Sequence, residues 1–567
     1  MEMKSGTGKL VGRLLGYTWL CALGVALIFS ALTTDRRARQ VEEYPCCCDP
    51  FGYLQMAQDK RDAAASGRDP QFIIESPHTR LLIELMQSRH VPLAYWEDMV
   101  APLAYHYFPR ADHVGVQYPP GAGFMLALFP QDKALHGLDL LVIALFLASG
   151  LVMLFLAGAK RAWLAAGFLT LSLDLGLEIL GEIDNASFSI NAMLAPLLLS
   201  GLCLFTAFGV RTDSGKSLYL AWFLTFLAGL LFGVAVLTRL PVILLMPGLL
   251  VLLWPAKLRS WYKSAWSGFI LGVLLGGVVP LSIHQSRLSG AWYLPTYPRY
   301  DATRPTLERF WPNVSYYFGP GKASADNWAL PVISIGCIGL FLLSTRGAAS
   351  RTPATFLRRL NWGRLLTAAL LIWGLSTAYF LTHQIAIHYY PMPATFGTVL
   401  LLALGGFSVE DHTYATSKDR GWLRRALQFV ALALALAPGL TVIGRAWSNY
   451  VPASVERRPP RFSLPAELSD ERAWIWANEL SGTLWYYARK PAHKISSTNG
   501  ETRALVYEFV ISRGEPQYVV GADPGMKPVE DEIVQLGGTL ELRGEVEGYS
   551  YFLIHWPPNG PVKRAAL

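Results

Sequence analysis

The chain has 567 residues, a formal net charge of +8, 52% hydrophobic residues and only 16% charged ones. Soluble globular chains carry about 25% charged residues, so this deficit excludes an ordinary water-soluble domain and fits repeated bilayer crossings. The basic residues sit mostly in short loops between apolar runs, where they orient a membrane protein rather than grip nucleic acid. Six cysteines, three of them adjacent at Cys46, Cys47 and Cys48, make no disulfide framework.

Lys4, Lys9 and Arg13 precede a first apolar run that ends near Leu32. No small-residue cleavage site follows, so the run reads as a retained span rather than a signal peptide. A crossing takes about 20 apolar residues. About eleven segments qualify: 14–32, 136–157, 162–180, 190–209, 218–237, 240–254, 265–283, 329–344, 365–382, 391–408 and 425–444. Pro241, Pro247 and Pro280 lie inside two of them and loosen their bounds.

Counting from a cytoplasmic N-terminus, the inside loops carry Lys160 and Arg161, then Arg211 and Lys216, then Lys257, Arg259 and Lys263. Arg346, Arg351, Arg358, Arg359 and Arg364 follow, and finally Lys418, Arg420, Arg424 and Arg425. This is the positive-inside pattern of a polytopic α-helical membrane protein. Two outside loops are long, a first external loop at 33–135 and a second at 284–327. Loops of that length are usually functional. The first holds two amphipathic stretches, 52–65 and around 81–86, suited to lying flat at the membrane interface.

An odd number of spans exports the tail, so the chain divides into a membrane domain (1–445) and an extracytoplasmic domain (446–567). A Pro- and Arg-rich linker (452–465) leads into the latter. Helices are expected at 470–490, 501–513 and 528–537, strands at 493–497 and 517–521, and a hairpin around Gly544 to Gly548. That alternation describes a small C-terminal α/β domain. It contains no GxGxxG, P-loop or zinc-type spacing.

Five short motifs bear chemistry, all on the outside of this topology. Asp49, in Asp49-Pro50-Phe51-Gly52-Tyr53, follows the first span; a carboxylate there suits a general base, and Asp before Pro equally suits a helix start. Gln117-Tyr118-Pro119-Pro120-Gly121 reads as a turn into a re-entrant or interfacial helix. Arg239, in Thr238-Arg239-Leu240-Pro241, is an arginine at a span end, placed to bind an anion or to snorkel. The fourth runs from Gly290 through Pro295 to Tyr297, with Arg299 and Arg304 beyond it. The fifth is His388-Tyr389-Tyr390-Pro391-Met392-Pro393. Outward Arg and His next to a bilayer suit a lipid phosphate, and interfacial belts account for tyrosines equally well. Asp174, Glu178 and Glu182 form an acidic stripe at helical spacing, with Asp174 the costliest in a span. Asn185-Ala186-Ser187 and Asn313-Val314-Ser315 fit the glycosylation sequon, which counts only in a eukaryotic lumen.

In this order the motifs resemble those of the GT-C superfamily of membrane glycosyltransferases, in the branch that holds protein O-mannosyltransferases and the lipid A aminoarabinose transferase. Asp49 and Tyr53 match the family's D-x-x-x-Y-like context, and Tyr118 to Gly121 match the segment ending its first loop. Gly233 with Arg239, Gly290 to Tyr297, and His388 to Pro393 match its later motifs. The resemblance covers about residues 10–445. Two departures stand out: Pro50 replaces the usual acidic neighbour of the catalytic Asp, and His388 stands where Arg or Lys is common. The resemblance implies an inverting transfer from a polyprenyl-phosphate sugar donor, drawn from the lipid bilayer, to a glycan, lipid or protein acceptor. It makes Asp49 the general base, and Arg239, His388, Arg299 and Arg304 the holders of the leaving phosphate. Tyr53, Tyr118, Tyr297, Tyr389 and Asp174 are its further substrate-site candidates. No paired acidic motif provides for a metal, so no cofactor is expected beyond a divalent cation without a dedicated site. The membrane expected is a bacterial inner membrane. A multi-span transporter, a lipid flippase or a non-catalytic relative are the alternatives. Against the transporter, no internal repeat is visible.

Overall fold

The computed structural model describes residues 49–68, 72–74, 76–157, 186–209, 215–254, 260–296, 305–318, 362–383, 462–521, 525–546, 548–558 and 560. The chain forms two compact units. One gathers 1–40, 133–280 and 299–455; the other gathers 41–132, 281–298 and 456–567. The tail from residue 456 on falls in the same unit as most of the first external loop and the start of the second.

The described part of the first unit is helical. Its helices are Ala134–Ala157, Ala186–Gly209, Gly215–Thr238, Met246–Leu253, Ser260–Val273, Phe310–Phe318 and Trp362–Thr382. Among the described residues, Ser217–Thr238 and Lys263–Ser289 are long and apolar enough to cross a membrane. The segment expected as a span at 240–254 is broken: a 3₁₀ turn at Leu240–Leu245 precedes the short helix Met246–Leu253. Pro241 and Pro247 explain this, since each removes a backbone donor and fixes φ. The span expected at 265–283 runs further, to Ser289, through a π turn at Leu274–Val278. That wide turn includes Gly276, whose carbonyl would otherwise clash with the ring of Pro280 four residues on.

The closest helix pair in this unit is Gly215–Thr238 against Ser260–Val273 and its π turn. Gly229 and Gly233 on one helix meet Gly268, Gly272, Gly276 and Gly277 on the other. A Cβ at Gly229, Gly233, Gly268, Gly272 or Gly276 would come closer than 3.0 Å to backbone of the facing helix. Repeated small residues at four-residue spacing are what lets apolar helices touch backbone to backbone, where packing replaces the hydrophobic effect. Pro196 lies inside the Ala186–Gly209 helix.

The second unit holds all seven described strands. β1 (Ile73–Ile74), β2 (Tyr105–Phe108) and β3 (His113–Val116) form an antiparallel sheet of order β1-β3-β2. β4 (Trp474–Trp476), β5 (Gln517–Val520), β6 (Thr539–Val546) and β7 (Tyr549–His555) form a second sheet of order β4-β5-β7-β6. β4 runs parallel to β5, and the other pairs are antiparallel. Helices Leu480–Ala488, Gly500–Ser512 and Lys527–Gln535 lie between strands. Asn499 caps the second of these by accepting from the Thr502 amide.

Two expectations for the tail are corrected. Residues 470–490 are not one helix, because β4 occupies 474–476 before the helix Leu480–Ala488. Ile475 joins a hydrophobic core with Leu480, Leu484 and Tyr518. Trp474 and Trp476 turn to the opposite face, against His493 and, for Trp476, Tyr507. A strand buried on both faces reads as a continuous apolar run, which periodicity cannot separate from a helix. The strand expected at 493–497 is a single bridge at His493 and a 3₁₀ turn at Ile495–Ser497. In the first loop, the 52–65 stretch belongs to the helix Asp49–Ser66, whose Phe51, Tyr53, Leu54, Met56 and Ala57 are all buried. This is a core helix rather than one lying flat at an interface.

The same interior sets an acid limit. Burial holds His78 down at about 4 and His493 at about 3, from an ordinary 6.5. The folded state therefore binds fewer protons than the unfolded one below pH 6.5, and stability is lost as pH falls from 6.5 toward 3. Asp59 opposes this: burial raises it from 3.8 to about 6, so its contribution is largest below 3.8 and lost as pH rises through 6. The two histidine shifts together exceed the single carboxylate shift, so the net sign is acid destabilisation. The thermal midpoint of the full chain in detergent, followed by tryptophan fluorescence, is expected to fall from pH 6.5 to 4; a flat or rising profile contradicts this.

Candidate functional site

Asp49 and Pro50 lie in the first described turn of the helix Asp49–Ser66. Tyr53 lies one turn on and its ring packs 4.6 Å from that of Tyr118. A side chain at position 52 would collide with the Tyr118 ring, since a Cβ there would sit 2.7 Å from it. Gly52 thus admits Tyr118 against the first turn. The Tyr118 hydroxyl accepts from Gln117 Nε2 at 2.8 Å, and its carbonyl accepts from His284 Nε2 at 3.2 Å. A carbonyl can only accept, so the His284 proton sits on Nε2. Residues 65 positions apart are therefore joined around the first described turn of this helix. Tyr53 and Tyr118 are both buried, and their rings build that turn.

Residues from the second loop complete this unit. Phe72 and His284 rings lie 5.7 Å apart, and Arg110 donates to the Tyr293 hydroxyl at 3.0 Å. The helix Gly121–Leu126 after Pro120 is only six residues long.

In the first unit, Arg239 follows the last residue of the Gly215–Thr238 helix and leaves the helical conformation (φ −151°, ψ 105°). Its Nη1 donates to Ser189 Oγ at 3.2 Å. Ser189 lies near the start of the Ala186–Gly209 helix. Two positions on, Asn191 donates through Nδ2 to Asp139 Oδ1 at 2.5 Å, and both side chains are buried. His383, just past the Trp362–Thr382 helix, is held below its usual range by burial first, then by the nearby Arg239 and Arg309 cations. The segment carrying Arg309 is tied there: Thr306 N donates to Thr382 O at 2.7 Å. Asn313 Nδ2 donates to the Phe380, Leu381 and His383 carbonyls at 3.3, 3.0 and 2.5 Å. These are end-of-helix carbonyls that lack partners within the helix. Asn313 is buried in this role, which does not suit a sequon asparagine on a surface loop.

Of the residues named from sequence, Asp49, Tyr53 and Tyr118 thus fall together in one unit, and Arg239 lies in the other. His388, Arg299, Arg304, Tyr297, Tyr389 and Asp174 lie outside the described residues. Sequence reasoning missed Arg309, His383, Ser189, Asn191 and Asp139. Asp139 carried a usable signal, an ionisable residue in an apolar run. The others look like ordinary loop and helix-end residues until the helix ends converge. No three His, Cys, Asp or Glu side chains among the described residues gather where one cation could sit.

Chemically, Arg239 and Arg309 make one end of the first unit basic, with His383 kept uncharged by its burial and by these two cations. Guanidinium groups at such a place pair with phosphate oxygens, and Arg does so through a planar fork.

No family model and no curated protein matches the chain. Among solved structures, the fold is similar to ArnT from Cupriavidus metallidurans in the apo state. The identity is 12%, 95% of this chain and 98% of that chain are covered, and the TM-score is 0.48. It is also similar to the archaeal oligosaccharyltransferase AglB from Archaeoglobus fulgidus, solved with an inhibitory peptide and a dolichol-phosphate. There the identity is 10%, the coverage 93% of this chain and 74% of that chain, and the TM-score 0.38.

Proposed function

We propose that the chain is a polytopic membrane glycosyltransferase. It takes a sugar from a polyprenyl-phosphate donor and passes it, with inversion, to a glycan, lipid or protein acceptor outside the cytoplasm. Asp49 accepts the proton of the acceptor hydroxyl as its oxygen attacks the anomeric carbon. The bond from that carbon to the phosphate oxygen breaks, and the lipid phosphate departs with its electron pair. Arg239, with Arg309 and His383 beside it, stabilises the negative charge gained by that phosphate. His388, Arg299 and Arg304 extend the same phosphate-binding role.

The observation that carries this reading is the meeting of helix ends. Charge alternation places the start of 136–157, the start of 190–209, the end of 218–237 and the end of 365–382 on one side of a bilayer. The bonds Asp139–Asn191 and Arg239–Ser189 join three of those ends, and the Arg239 and Arg309 cations lie close enough to His383 at the fourth to depress its protonation. Most of the first external loop, the start of the second and the tail from 456 on likewise gather into one compact unit that includes Asp49.

The test is cell-free transfer by the purified full-length protein with a panel of polyprenyl-phosphate sugars and cell-envelope acceptors. Product from at least one donor is expected. No product from any donor, together with substrate uptake into vesicles, would replace this reading with a transporter.

A further inference from the structure

The helix Leu480–Ala488 ends on Arg489, which sits in the left-handed region (φ +53°, ψ 25°). Its N–H closes the helix end on the Leu484 and Trp485 carbonyls. Glycine is the residue that this capping position favours, because an L side chain there crowds the backbone. An arginine at such a place needs a reason in its side chain.

The side chain supplies one. Arg489 Nη1 donates to Gln55 Oε1, and Gln55 Nε2 donates to Asp59 Oδ1. The guanidinium also lies 6.0 Å from the Trp485 ring. Gln55 is buried, and Gln55 and Asp59 are one turn apart on the helix Asp49–Ser66. The amide of Gln55 is used at both ends, so it relays the cation of the tail to the carboxylate of the loop helix. Other contacts run beside it within the same unit. Leu103 N donates to Ser481 Oγ at 2.9 Å, and Lys494 N donates to Met99 O at 3.1 Å. Phe51 packs on Tyr486 and Tyr487, with centroids 5.7 and 6.2 Å apart. Those contacts are backbone, hydroxyl or aromatic. The arginine relay carries charge, and it reaches the middle of the helix.

We propose that Arg489 is a positioning residue: through Gln55 and Asp59 the tail fixes the helix that presents Asp49. The role of the tail is then to hold the catalytic loop in register. This rests on the transferase reading for its catalytic consequence, though not for its structural one.

Arg489→Gly separates side chain from backbone, because glycine relieves the left-handed position while removing the relay. In the full-length protein, amide hydrogen exchange over 49–66 is expected to accelerate at least tenfold, with the global melting temperature unchanged or raised. Turnover is expected to drop about tenfold at unchanged donor KM, and Arg489→Lys to recover part of it. Gln55→Ala, which breaks the relay from the other side, should reproduce both effects. Unchanged exchange over 49–66 in the folded variants overturns the proposal, whatever the enzyme's activity. Accelerated exchange in a protein whose wild type transfers no sugar leaves the relay standing and removes the transferase reading.

Discussion

Gly272→Ala is expected to prevent most of the protein from reaching a stable fold, whereas Gly374→Ala, the same chemical change, should be neutral or slightly stabilising. The difference lies in what the new methyl meets. At Gly272 it would come closer than 3.0 Å to Phe226 O and Leu230 N, both backbone atoms of the facing helix. No rotamer change relieves a clash with backbone, so the helices must separate along their whole contact. Overpacking ordinarily costs about 1–3 kcal/mol and more where nothing can move; here a loss above about 3 kcal/mol follows. At Gly374 nothing lies within 4 Å, and alanine favours a helix over glycine by roughly 0.8–1 kcal/mol. Fluorescence-detected gel filtration and thermal melts in detergent check the pair. Equal behaviour of the two variants would show that the glycine seam is not a close contact.

Arg239→Ala is expected to weaken donor use, with a normal gel-filtration profile. Removing one partner of a desolvated, charge-assisted contact costs about 2–5 kcal/mol, so kcat/KM for the lipid-linked donor should fall by roughly 30-fold or more. Arg239→Lys keeps the charge and loses the fork, and should recover part of the loss. Arg309→Ala is expected to act in the same direction and more weakly, because no donor motif marks that residue and its segment is anchored independently through Thr306 and Asn313. Donor titration with a fluorescent polyprenyl-phosphate sugar measures this directly. An Arg239→Ala protein that binds and transfers normally would move the phosphate site elsewhere.

Apolar run length and loop charge are strong signals, because crossing a bilayer leaves few alternatives. They located the Gly215–Thr238 helix closely, and the next one less so, since it runs on to Ser289 through the π turn that accommodates Pro280. Asp49-Pro50 suits a helix start by local chemistry, and the described residues from Asp49 to Ser66 are helical. Strand β4 was illegible because Trp474-Ile475-Trp476 is apolar on both faces, and only its pairing with β5 distinguishes it from helix. The contact of Tyr53 with Tyr118, the seam of glycines and the grouping of Arg239, Arg309 and His383 depend on pairings across long stretches of chain. A single sequence encodes the residues of such pairings but not their meeting. Arg489 is the sharpest example: in sequence it is one of several tail arginines, and its left-handed backbone is what marks it.

The central claim, that the first-loop carboxylate activates an acceptor for sugar transfer, is tested most directly by Asp49→Asn. Assayed beside wild type with the same polyprenyl-phosphate donor, the variant should bind donor normally and lose about 10²–10⁴-fold in transfer rate, the contribution of a positioned general base. An Asp49→Asn protein that forms product at the wild-type rate would contradict the account.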